Sequence, residues 1–144
     1  MRAPYFRLIA PLAAMSVACS SAAAPSTSSG AFEGPPLITF DGDGAKVHVE
    51  LRTGPDQPPS RGVENLSLAV TDRAGAPLDG LTIEVVPWMP AMGHGASVKP
   101  QVTAVGNGHY TVEDVDFYMP GQWQIRITFS GAVEDHAISV LQIP

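Results

Sequence analysis

Apolar residues in this chain recur at every second position, in runs cut short by proline and glycine. The clearest run is Gln122–Phe129, where Trp123, Ile125, Ile127 and Phe129 alternate with Gln122, Gln124 and Arg126. A two-residue period puts one set of side chains on each face of an extended strand. It cannot form the apolar stripe of a helix, which needs spacings of three and four. Fourteen prolines and fourteen glycines in 144 residues keep every run short. The same alternation marks Lys46–Arg52, Asn65–Asp72, Leu81–Val86, Gln101–Val105, His109–Val115 and Ala137–Ile143. Turn residues separate them, including Ala74-Gly75-Ala76-Pro77 and Gly106-Asn107-Gly108. Seven short strands at this spacing predict an all-β fold, an antiparallel sandwich of the immunoglobulin-like class. No cysteine pair is available to join the sheets, so Trp123 and the aliphatic residues must fill the core. The order of strands within each sheet does not follow from the pattern.

The first residues follow another logic. Arg2 and Arg7 open a positive start, and Leu8–Val17 is apolar apart from Pro11 and Ser16. The run is too short to span a bilayer and reads as a secretory signal. It ends in Ser16-Val17-Ala18-Cys19, and Cys19 is the only cysteine. Small residues before a lone cysteine resemble a lipoprotein box, in which the thiol receives a diacylglycerol. One acyl chain holds a protein only marginally, so stable anchoring needs further chains. The alternative is a secreted protein in which Cys19 is removed or idle. Residues rich in Ser, Ala, Pro and Gly follow Cys19, a composition that gives a flexible tether. The expected organisation is a signal over 1–18, a lipidated cysteine and tether over 19–36, and one domain over 37–144. Loss of Arg2 and Arg7 with the signal takes the formal charge from −6 to −8. An acidic surface argues against nucleic acid and anionic lipid headgroups as partners.

Catalytic motifs are missing: there is no Gly-x-Ser-x-Gly, His-Glu-x-x-His or phosphate-binding glycine loop. The chain reads as non-enzymatic. Asp41-Gly42-Asp43-Gly44 resembles the start of a calcium loop, but the later ligands are absent and a polar turn is the simpler reading. Pro87–Gly95 carries more chemistry. Pro-Trp-Met-Pro-Ala-Met-Gly-His-Gly places Met89, Met92 and His94 within six residues, and Met119 lies in Tyr118-Met119-Pro120-Gly121. Thioether is a soft ligand and imidazole a borderline one, a set suited to Cu(I) and poorly suited to calcium or magnesium.

Strand parity bears on whether these residues can meet. Alternate connections lie at the same end of an up-and-down succession. The loop carrying Met89, Met92 and His94 follows the third strand and Met119 follows the fifth, so they share an end. His109 and His136 fall at the other, provided that Gln101–Val105 is a strand. A packing reading stands beside the metal reading. Met89 is in phase with Leu81, Ile83 and Val85, and Met119 with Val115 and Phe117, so both could simply cap the core. Trp88 is out of phase with the core face. It could shield a bound cation with its ring or mark a contact with another protein.

Met-Pro-x-Met-x-His-Gly, then Gly-x-Tyr, then Phe-x-Met-Pro-Gly-x-Trp resembles the YtkA-like domain, related to FixH-type proteins. The likeness covers Leu81–Gly95 and Gly108–Phe129. It implies a small β-sandwich outside the cytoplasmic membrane, with an accessory role in copper handling or cytochrome oxidase assembly. An envelope copper protein or an oxidase assembly factor would then be its partner. The positions carried over are Met89, Met92, His94 and Met119. FixH-type members usually have a transmembrane anchor, where this chain offers Cys19.

Overall fold

A computed structural model describes residues 33–144. The signal, Cys19 and most of the tether lie outside the described residues. Nine strands follow one another among the described residues: β1 (Ile38–Asp41), β2 (His48–Gly54), β3 (Gly62–Thr71), β4 (Thr82–Met89), β5 (His94–Gly95), β6 (Gln101–Gly106), β7 (His109–Phe117), β8 (Gly121–Ser130) and β9 (Asp135–Ile143). All seven expected strands are present. The two additions are the short β1 and the two-residue β5. Among the described residues no helix is long and apolar enough to cross a membrane.

The strands form two antiparallel sheets, β1-β2-β3-β7-β6 and β5-β4-β8-β9. Without β1 and β5, this is the four-plus-three strand order of an immunoglobulin constant-type domain. Inward residues of both sheets make one core. Leu51, Leu66, Leu68, Tyr110, Val112, Phe117, Trp123, Ile125 and Ile127 are all buried in it. The indole N–H of Trp123 donates to the Met119 carbonyl at 2.9 Å, which satisfies the polar atom of the largest buried side chain.

One irregularity sets the phase of β7. Tyr110 and Val112 face the core on even positions, Val115 and Phe117 on odd ones. Leu66 pairs with Val112 but Glu64 with Val115, so β7 holds one extra residue. Asp114 sits at the break with φ 63°, in the left-handed region, and the extra unpaired residue makes this a β-bulge. The bulge brings Phe117 inward and leaves Met119 half-buried against the core.

The domain also reaches slightly into the segment expected as tether. Arg52 Nε donates to the Gly34 carbonyl at 2.8 Å, and Gln57 Nε2 to the Pro35 carbonyl at 2.9 Å.

At the end of the sandwich that carries the β8–β9 turn, Asp135 organises the chain. Its carboxylate accepts from the backbone N–H of Gly44 at 2.7 Å, Lys46 at 2.9 Å and His136 at 2.9 Å. The Asp41-Gly42-Asp43-Gly44 turn thus gives the Gly44 N–H to this carboxylate, while its Gly42 and Asp43 N–H groups donate to the Val47 and His136 carbonyls. A Cβ on Gly42 would run into this carboxylate, and one on Gly44 would come within 2.9 Å of it. Burial alone would raise the Asp135 pKa, but the backbone donors outweigh it and hold the group below its ordinary value. A carboxylate with a depressed folded pKa contributes stability above its unfolded pKa, about 3.9. That contribution disappears as pH falls through the folded value. Asp135→Asn turns an amide towards the donors and should cost about 2 kcal/mol at neutral pH. Denaturant melts at several pH values should show this gap closing on acidification; a gap independent of pH would contradict the assignment.

Candidate metal centre

β4 ends at Met89, and the chain turns back at once. The N–H groups of Met92 and Gly93 both donate to the Met89 carbonyl, at 3.1 and 3.0 Å. Gly93 closes the turn at φ 70°, a conformation that costs a side-chain residue roughly 1–2 kcal/mol. β5 then pairs back on β4, with Met89 opposite His94 and Trp88 opposite Gly95. A Cβ on Gly95 would stand 2.6 Å from the Pro87 carbonyl oxygen, so the glycine permits the close approach. The spelling Met-Pro-Ala-Met-Gly-His-Gly thus describes a tight hairpin.

Directly opposed residues of an antiparallel pair project on the same face. His94 therefore shares Met89's side of the sheet. Met89 is 3% exposed and belongs to the core. His94, past the rim of that core, is exposed. Met92 sits in the turn and is 50% exposed.

The β7–β8 connection, Tyr118-Met119-Pro120, lies against this hairpin. A Cβ on Gly121 would come within 3.3 Å of Met89 Cε, so the end of β4 touches the start of β8. Tyr118 Oη is 2.8 Å from His94 Nδ1. On its other side the Tyr118 ring meets Trp123 edge-on, with centroids 5.2 Å apart at 85°. Trp123 in turn meets Phe117 at 5.5 Å and 72°. Packed rings thus run from the core out to His94.

Met89, Met92, His94 and Met119 accordingly lie on connections at one end of the sandwich. His48, His109 and His136 lie at the opposite end. There His48 Nδ1 is 2.7 Å from Asp41 and His136 Nε2 is 3.0 Å from Asp43. Trp88 is on the outer face of the sheet, away from Met89. Its ring is covered by the Arg126 guanidinium at 4.5 Å, which also donates to Gln124 Oε1 at 2.8 and 3.0 Å. Trp88 does hold a cation against its ring, but that cation is Arg126.

Sequence reasoning did not single out Tyr118. Its signal was its place at the exit of a core strand, next to Met119.

Among the described residues no group of three or more His, Cys, Asp or Glu side chains could hold a metal ion. A metal at this end would depend on thioether together with the His94 imidazole. That donor set fits a soft monovalent ion and gives a hard divalent cation no carboxylate. Met92 and His94 are reachable at the surface, Met119 stands at the rim, and Met89 lies beneath them.

The described residues thus define a small immunoglobulin-like sandwich with a Met/His hairpin at one end. The YtkA-like family model matches residues 43–128, more than half of the chain, and the protein belongs to that family. The match includes all four Met and His positions. No curated protein and no solved structure matches the chain.

The burial contrast among the methionines is directly measurable. Met89→Ala removes a packed side chain and should cost about 2–5 kcal/mol. Met92→Ala should stay within about 0.5 kcal/mol. Equal losses in chemical denaturation would contradict the placement of Met89 under the rim and Met92 outside it.

Proposed function

We propose that this protein is a non-enzymatic accessory that holds Cu(I) as cargo outside the cytoplasmic membrane, anchored there by lipid on Cys19. The carrying observation is the hairpin that sets His94 beside the Tyr118-Met119 turn. Two soft thioethers and one imidazole, from connections distant in sequence, lie at one accessible end. In this reading the His94 imidazole and the Met92 and Met119 thioethers hold the ion. Met89 forms the floor of the site and keeps the hairpin on the core.

Neutral sulfur ligands leave the charge on Cu(I) uncompensated locally, which suits transient holding and transfer more than permanent storage. An exposed His94 and Met92 leave the ion open to attack by an acceptor's ligands. The acceptor would be an envelope copper protein or an oxidase assembly factor.

Titration with Cu(I) under reducing conditions should give one ion per chain. The Met92, His94, Met119 triple alanine variant should lose stoichiometric binding while keeping its fold. Absence of binding by the wild type, or unchanged binding by the triple variant, would contradict the copper reading. The anchor is tested separately by the intact mass of protein recovered from membranes. Acyl mass on a chain beginning at Cys19 is expected; an unacylated chain would remove that part of the proposal.

A second reading, an adaptor without metal, draws on the outer face of the β4-β8-β9 sheet. Val86, Arg126 and Ile138 form one rung across it, and Trp88, Gln124 and Val140 the next. Val86, Ile138 and Val140 are each at least 39% exposed. Exposed apolar groups around a tryptophan and an arginine suit a protein contact. Loss of a specific envelope partner from Trp88→Ala, with Cu(I) binding absent in the wild type, would favour this reading.

A further inference from the structure

We infer that Tyr118 is a positioning residue that holds His94 as its Nδ1–H tautomer and leaves Nε2 as the free, ligand-presenting nitrogen. The role of Nε2 as a ligand rests on the Cu(I) reading; the tautomer assignment does not.

The Tyr118 and His94 ring centroids are 6.1 Å apart and their planes differ by only 6°. Tyr118 Oη and His94 Nδ1 are separated by 2.8 Å. Stacked rings stand roughly 3.5 Å apart at closest carbon contact, so a 2.8 Å contact between near-parallel rings cannot cross a stacking gap. The rings are displaced from each other and not face over face, joined through the phenol oxygen and the imidazole nitrogen. The phenol oxygen is therefore a partner for the proton or the lone pair that Nδ1 carries.

A second contact decides between proton and lone pair. The Gly95 carbonyl oxygen lies 3.2 Å from the same Nδ1. A carbonyl can only accept. With Nδ1 unprotonated, two lone pairs would face each other there. With Nδ1 protonated, the N–H is shared between the carbonyl and the phenol oxygen, and both contacts become favourable. His94 Nε2 makes no hydrogen bond among the described residues, so the nitrogen freed of its proton faces no competing donor.

Tyr118 is suited to hold this arrangement because its own ring is fixed. Trp123, fully buried, meets it edge-on. Trp123 is in turn fixed by its bond to the Met119 carbonyl, one residue beyond Tyr118. An oxygen acceptor on the far nitrogen of a ligating histidine sets its tautomer and ring angle and raises its basicity. Loss of such a partner typically weakens metal binding about 10–100-fold.

The test uses the full chain labelled with ¹⁵N at histidine, at about pH 8, where an ordinary histidine is neutral. Two-bond proton–nitrogen spectra of the metal-free protein should show His94 with Nδ1 protonated. Tyr118→Phe keeps the ring and removes the oxygen, so the Nε2–H population should rise while the melting temperature holds. Cu(I) competition should then show the variant weakened about 10–100-fold. A wild-type His94 protonated at Nε2, or a Tyr118→Phe spectrum identical to the wild type, would overturn the inference. A wild type with Nδ1–H that binds no Cu(I) would leave the tautomer assignment standing and remove the metal reading.

Discussion

The hydrogen bond from the Trp123 indole to the Met119 carbonyl joins the core of this protein to the Met/His end proposed as its metal site. Trp123 is the largest of the fully buried side chains, and its one polar atom needs a partner inside the fold. The partner it finds is the backbone of the β7–β8 turn. That turn is thereby fixed at the rim of the sandwich, with Tyr118 edge-on to the indole and Met119 half-buried. The hairpin after β4 then has a rigid neighbour to pack on, and His94 reaches Tyr118. Without this bond the buried indole N–H would be orphaned, at a cost of about 1–3 kcal/mol.

The two ends of the sandwich are closed by different physics. At the β8–β9 turn a buried carboxylate, Asp135, collects backbone N–H groups from a glycine-rich turn. This is fixed charge against fixed dipoles. At the Met/His end, aromatic edges and thioethers close the core beside a hydrogen-bonded β2–β3 connection. Polarizable, uncharged groups pack at low desolvation cost, and the same groups are soft ligands. Packing and metal readings of Met89 and Met119 are therefore less opposed than they look in the sequence. Met89 is buried in the core, whereas Met119 packs against the core and still stands at the rim.

Much of the fold was legible because strand alternation is a strong, local signal. All seven expected strands formed, and counting them was enough to bring the Met89–His94 hairpin and Met119 to one end. Sheet order was not legible, because pairing between distant strands leaves no mark on period. β1 was missed for its four residues between Pro36 and Gly42, and β5 for its two. The β7 bulge was hidden because a break in phase reads as the end of a pattern. At the candidate site, the Met and His positions were legible by residue type, but Tyr118 was not. Its proposed role comes from a contact between its hydroxyl and His94, 24 residues away in sequence, and no spacing rule reports such a contact. Trp88 was rightly placed off the core face, yet its partner Arg126 on the neighbouring strand was unforeseen.

If one end of this YtkA-like sandwich offers thioether and imidazole donors to a soft metal ion, both donor types will surround the bound ion. X-ray absorption at the copper edge of the Cu(I)-loaded protein tests it most directly, because sulfur and nitrogen scatter distinguishably. A sulfur shell from Met92 and Met119 is expected together with a single imidazole, and the imidazole signal should be lost in His94→Ala. A copper environment of nitrogen and oxygen alone, unchanged by that substitution, would contradict it.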